Sequence, residues 1–209
     1  MNVLGSLADR TFFHLLYLGG LPLVRAAYPI RVRGSLPTEV DRPVLLAPNH
    51  ASFLDPIVLQ AVVPRRITYL MAEAYYRLPL LQFAFRRLGC IPIRTSGANV
   101  AAIRSGVDAL RETSLAAIFP EGRRSLDGEL QPGFPGVAIL AERADALVVP
   151  VGILGTWNAL PPGGRFPRPA AVEVRFGSPI DFRRSVGPRV RVRERTAIVM
   201  RAIDSLLDA

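Results

Sequence analysis

Val44 to Pro56 reads VLLAPNHASFLDP. Its first five residues are apolar without interruption, the pattern of a strand buried on both faces. The polar pair Asn49-His50 follows at once, and Asp55-Pro56 has the form of a helix start, with an acidic N-cap and proline at the first helical position. A buried strand feeding a loop and then a helix is the building unit of an α/β sheet, in which ligands gather at the carboxyl edge of the strands. His50 is thereby expected at that edge, and Asp55, five residues on, within reach of it.

The same alternation continues in both directions. β-rich runs occur at Ile30 to Gly34, Ile67 to Ala72, Cys90 to Thr95, Leu115 to Phe119, Leu147 to Ile153 and Ala171 to Phe176. Helical patterns lie between them, near Ile57 to Val63, Leu78 to Leu88, Asn99 to Thr113 and Val137 to Arg143. The expected fold is a single α/β domain over residues 30–209, with a mostly parallel or mixed central sheet flanked by helices. The Pro- and Gly-rich stretch Leu160 to Pro169 reads as a surface loop. In the tail, Val192, Thr196, Val199, Met200, Ile203, Leu206 and Leu207 recur at spacings of three and four, one face of a helix that Pro188 is placed to open. The tail arginines are then expected on the opposite, solvated face.

The 209 residues are 50% apolar and 21% charged, a globular composition for about one domain. The formal charge is +9, and all 26 basic residues are arginine. Lysine chemistry, from Schiff bases to the P-loop, is therefore excluded, and planar bidentate contacts to phosphate or carboxylate are favoured. The charge implies an acidic partner: nucleic acid, a phosphate ester or an anionic membrane surface. The lone Cys90 excludes a disulfide within the chain and any multi-cysteine metal site. It lies in the apolar run CIPI and reads as a small buried hydrophobe, not a nucleophile. Of the two histidines, His14 and His50, only His50 stands at a strand end beside a carboxylate.

Residues 1–29 form a separate apolar segment. Thr11 to Val24, TFFHLLYLGGLPLV, is bounded by Arg10 and Arg25 and interrupted by His14, Gly19, Gly20 and Pro22. It is shorter than the roughly 20 residues of a membrane span and lacks the cleavage site of a signal peptide. A helix lying in the membrane interface and a helix packed on the domain both fit its composition. The expectation for residues 1–29 is an N-terminal membrane-interface helical segment, so their removal should release the protein from vesicles and leave a soluble, folded domain.

Two constellations carry chemistry. In the first, His50 is a candidate general base and Asp55 a carboxylate that can hold its ring while capping a helix. Ser52 is too close to His50 in sequence to complete a nucleophilic triad, and no G-x-S-x-G elbow is present. The second is Leu115 to Ser125, LAAIFPEGRRS, in which a buried strand ends in a turn and delivers two guanidinium groups. Arg123 reads as a solvated charge. Arg124, taken jointly with His50, reads as an anion clamp beside a base.

NHASFLDP resembles the H-x-x-x-x-D motif, and FPEGRRS the F-P-E-G-x-R-S motif, of the glycerolipid acyltransferase family. GCIPIR at Gly89 to Arg94 is similar to the intervening motif, and VVPVGILGT at Val148 to Thr156 to the last one; the resemblance runs from about Arg31 to the C-terminus. It implies an O-acyltransferase that moves a fatty acyl group from a thioester to a lysophospholipid, with 1-acylglycerol 3-phosphate as the favoured acceptor. His50 would be the general base and Asp55 its orienting partner, while Arg94, Glu121, Gly122 and Arg124 would form the acceptor site. No metal or resident cofactor is implied. Acyl-CoA or an acidic acyl-carrier protein would be the donor substrate, and the cytoplasmic face of the cell membrane the place of work, with the protein peripheral or monotopic. The family usually has its intervening arginine one residue later, where this chain has Thr95, and often a lysine where Pro135 stands. These departures keep open another lysolipid acceptor, such as an ornithine lipid or glycolipid precursor. A non-catalytic basic protein that binds lipid or nucleic acid is the alternative of another class. The His50/Asp55 pair argues against it, and no nucleic-acid partner is expected.

Overall fold

Runs of apolar residues that can face a core on both sides belong in the middle of a sheet. The computed structural model, which describes residues 11, 14–37, 41–77, 79–88, 90–93, 100–184 and 190–209, places them there. Its sheet contains β1 (Ile30–Arg33), β2 (Val44–Pro48), β3 (Thr68–Ala72), β4 (Ile91–Ile93), β5 (Leu115–Ile118), β6 (Leu147–Leu154) and β7 (Val172–Phe176). The order across the sheet is β1-β7-β6-β2-β5-β3-β4. From β6 to β4 every neighbour is parallel. β7 runs antiparallel to β6, and β1 lies parallel to β7. The sheet is therefore mixed, and over the described residues its strands agree with the apolar runs of the sequence to within one residue at each end, the last two residues of the run Cys90 to Thr95 lying outside them.

The helices are α1 (Leu21–Ala27), entered through a π-helical turn at Leu16–Gly20, α2 (Asp55–Val62), α3 (Glu73–Tyr76), α4 (Pro79–Arg87), α5 (Val100–Thr113), α6 (Gly136–Ala144), α7 (Thr156–Ala159) and α8 (Val192–Asp208). Successive strand residues point to opposite faces, so β2 feeds two cores at once. Leu45 and Ala47 pack with Leu110 of α5, Leu140 of α6 and Val199 and Ile203 of α8. Val44 and Leu46 pack with Val58 and Leu59 of α2 and with Tyr28. Leu45 and Leu46 are wholly buried, and truncating either to alanine would cost about 2–5 kcal/mol through lost contacts and a cavity.

α8 buries Thr196, Val199 and Ile203 as its periodicity requires, and Glu194 accepts a hydrogen bond from the backbone N–H of Arg191, the N-cap residue, at 3.3 Å. The opening proline, Pro188, lies outside the described residues. One tail arginine departs from the expected solvated face. Arg195 is buried, pairs with Glu142 of α6 at 2.9 Å and lies over the ring of Phe182. A carboxylate on the neighbouring helix and an aromatic ring let this cation sit between α6 and α8, where periodicity alone placed no charge. Arg191, Arg193 and Arg201 are exposed.

The N-terminal segment shows two different faces. Leu21 and Tyr28 are buried, and Tyr28 belongs to the second core. Leu15, Leu18 and Leu23 are exposed by 68 to 71%. A cut after residue 29 thus removes core atoms as well as the exposed stripe. Among the described residues no helix is long and apolar enough to cross a membrane. The loop from Leu160 to Pro169 lies at the surface, closed by backbone bonds from Gly164 to Pro161 and from Arg168 to Ala159.

Candidate active site

β2 and β5 are adjacent and parallel, so the loops that leave their carboxyl ends emerge side by side. The β2 loop begins with Asn49, whose side chain donates to the Ile153 carbonyl at 3.0 Å and accepts from the Ile153 N–H at 2.7 Å. This amide continues the β2–β6 pairing for one more residue after Pro48 has ended the strand. The next residue, His50, therefore starts from a fixed point.

The His50 Nδ1 lies 2.8 Å from Oδ2 of Asp55. The same carboxylate oxygen accepts the backbone N–H groups of Ala51 at 2.7 Å and Ser52 at 2.8 Å. Here the N-cap expectation is corrected. Leu54 is the cap residue of α2, Asp55 already lies inside the helix, and no side-chain cap bond is made. The chain between His50 and Asp55 doubles back in a turn, with the Asp55 N–H on the Ser52 carbonyl. That turn brings the carboxylate over the N–H groups that precede the helix rather than those that open it. Asp55 is fully buried while the His50 side chain is 16% exposed. The imidazole also stacks on Phe119, with ring centroids 3.9 Å apart. With Nδ1–H given to a carboxylate, the lone pair of a neutral imidazole resides on Nε2. That nitrogen has no partner among the described residues.

The β5 loop is built around Glu121, which is 1% exposed. One of its oxygens accepts the backbone N–H of His50 at 2.6 Å, the other that of Gln131 at 2.9 Å. Burial pushes its carboxyl up to about 7 against the opposing pull of these two N–H groups. The Ser125 N–H returns the contact by donating to the His50 carbonyl at 2.8 Å. Gly122 turns the chain at φ +65°, and a Cβ there would meet the Phe134 ring at 3.0 Å, so both conformation and space call for glycine. Arg123 is exposed. Arg124 lies with its guanidinium carbon 3.5 Å from the centroid of the Phe53 ring, and its buried Nε has no hydrogen-bond partner.

His50, Asp55, Glu121, Gly122 and Arg124 thus come together at one sheet edge. Arg94, the remaining candidate, lies with Thr95 outside the described residues, just beyond β4. Ser52 is buried, and its hydroxyl donates to the Leu160 carbonyl at 2.8 Å, so it braces the loop. Cys90 is buried in the second core with its thiol pushed up to about 12 by desolvation. Asn49, Phe53, Phe119 and Gln131 had no assigned part in the sequence reading; Asn49 and Phe53 belong to the histidine motif and Phe119 opens the FPEGRRS motif, whereas nothing in the sequence pointed to Gln131.

The chain is similar to known proteins in sequence and in fold. The sequence profile of the family described as Acyltransferase matches residues 29–154. The chain is 30% identical over 167 residues to the 1-acyl-sn-glycerol-3-phosphate acyltransferase of Limnanthes douglasii, covering 78% of this chain and 59% of that protein. It is 27% identical over 140 residues to a chloroplastic 1-acyl-sn-glycerol-3-phosphate acyltransferase of Arabidopsis thaliana, covering 65% of this chain and 39% of the relative. It therefore spans less than two thirds of the length of either relative. The crystal structure of the 1-acyl-sn-glycerophosphate acyltransferase PlsC from Thermotoga maritima superposes with a TM-score of 0.68 at 25% identity, covering 85% of this chain and 71% of that one. Its likeness extends across the mixed sheet and its flanking helices, and the matched profile includes the whole of the β2 and β5 loops: the chain belongs to the acyltransferase family.

Proposed function

We propose that the protein transfers a fatty acyl group from a thioester to the free hydroxyl of a lysophospholipid, with 1-acylglycerol 3-phosphate as acceptor and phosphatidate as product. The observation that carries this reading is the 2.8 Å contact between His50 Nδ1 and the buried Asp55 carboxylate, which leaves Nε2 as the basic nitrogen. An alcohol is a weak nucleophile, whereas a thioester is already activated, so the step that needs help is removal of the hydroxyl proton.

His50 takes that proton as the acceptor oxygen bonds to the thioester carbonyl carbon. The tetrahedral adduct collapses by breaking the C–S bond, and the departing thiolate receives the proton from the imidazolium. Asp55 holds the ring and stabilises its transient positive charge. Arg124 meets the acceptor phosphate, with Arg94 as a second candidate. Glu121 and Gly122 give the β5 loop the shape that sets Arg124 beside His50. The donor is acyl-CoA or an acyl-carrier protein, and no resident cofactor or metal takes part.

The exposed leucines of the N-terminal segment support a peripheral or monotopic position at a membrane surface, since both lipids partition into bilayers. The cytoplasmic face of the cell membrane is the surface on which either thioester donor would be met. The test is thin-layer separation of products from a radiolabelled acyl thioester offered with a panel of lysolipids. Label in phosphatidate supports the reading. Label only in another acylated lipid moves the acceptor, and no transfer to any lysolipid overturns it.

A further inference from the structure

Arginines in folded proteins are usually fastened by ion pairs or by hydrogen bonds from the guanidinium. Arg124 has neither among the described residues. Its guanidinium carbon sits 3.5 Å from the centroid of the Phe53 ring, and its Nε is buried without an acceptor. The ring is therefore the main thing that sets the plane of this cation.

Phe53 is in turn held by the loop that carries the base. On its N-terminal side the N–H groups of Ala51 and Ser52 are bound by Asp55. The Ser52 hydroxyl is anchored to Leu160 and accepts the N–H of Leu54 at 3.2 Å on the other side. One set of hydrogen bonds thus fixes the imidazole and the aromatic platform together. Ser125, the residue after Arg124, is itself tied to the His50 carbonyl.

We infer that Phe53 is a positioning residue for the acceptor's anionic group, and that this rests on the acyl-transfer reading given above. Stacking on Phe53 holds the guanidinium at a set reach from His50, with its donors uncommitted to protein. Phosphate and hydroxyl of one acceptor are then engaged together only when the spacing between them matches. Phe53 would so contribute to selection of a phosphate-bearing lysolipid, without touching the reacting atoms.

The experiment compares Phe53→Leu, Phe53→Trp, Arg124→Ala and the double variant Phe53→Leu/Arg124→Ala, with thermal midpoints measured alongside. The expected result is a roughly tenfold rise in KM for 1-acylglycerol 3-phosphate in Phe53→Leu, with kcat within about twofold. Phe53→Trp should restore the KM, and the double variant should be no worse than Arg124→Ala alone. Titration with sn-glycerol 3-phosphate, read by calorimetry, supplies the same comparison without turnover. An unchanged KM and unchanged binding in Phe53→Leu would overturn the inference, as would an equal loss on the Arg124→Ala background. Absence of acyl transfer by the wild type, with glycerol 3-phosphate binding still sensitive to both residues, would count against the reaction and leave the positioning role of Phe53 standing.

Discussion

The backbone N–H of His50 donates to Glu121 at 2.6 Å, tying together two loops 71 residues apart. Glu121 is the joint between the base and the arginine-bearing turn, and its second oxygen reaches on to Gln131. The carboxylate can take both N–H groups, whereas an amide offers one oxygen and turns a donor toward the other N–H.

That joint has a pH signature. The Glu121 carboxyl is pushed up to about 7 from an ordinary 4.5, chiefly by burial. Between these values the native state binds more protons than the unfolded chain, so stability from this group falls as pH rises through the window. Glu121→Gln should flatten the slope of thermal midpoint against pH between about 4.5 and 7 and lower activity at every pH. A slope equal to the wild type's would mean that another group titrates there.

His50→Ala should lower kcat by about 100- to 10,000-fold, the usual worth of a general base. The circular dichroism spectrum should not change, because the ring is partly exposed and its backbone contacts remain. Asp55→Ala should lose activity and stability together, since it leaves the N–H groups of Ala51 and Ser52 without their acceptor, at about 1–3 kcal/mol for each buried donor. Denaturant unfolding beside steady-state kinetics separates the two outcomes.

Arg124→Ala should raise the KM for a phosphate-bearing lysolipid strongly, and Arg124→Lys should recover little, because a lysine offers neither the planar fork nor the stacking surface. Arg123→Ala should be mild. Equal effects of the two alanine variants would place the clamp on the turn as a whole.

Replacing Leu15, Leu18 and Leu23 together by serine should release the protein from vesicles of anionic phospholipid and leave its thermal midpoint unchanged. Deleting residues 1–29 should instead destabilise it, because Leu21 and Tyr28 leave the core with the segment. Sedimentation with vesicles and a melting curve on each variant check both statements.

Much of this was legible in the sequence because it depends on near neighbours. Uninterrupted apolar runs mark β2, β5 and β6 as central strands, since only a sheet covered on both faces can hide them. The spacing of Thr196, Val199 and Ile203 fixes the inner face of α8. His50 at the end of an apolar strand, with a carboxylate five residues on, is a local pattern too. Contacts across long separations were decided by the tertiary structure alone. Strand order and the reversal at β7 depend on which apolar faces meet, and any of these strands could satisfy its own pattern beside several others. The N-cap reading of Asp55 was a local rule overridden by a turn that aimed its carboxylate backward. Arg195 is buried because Glu142 and Phe182 lie on other elements, and Arg124 stacks on Phe53 because β2 and β5 are neighbours. Local periodicity determines which side of an element is apolar. Only packing determines which polar groups become partners, because a buried charge or donor is stable wherever the fold happens to bring it a counterpart.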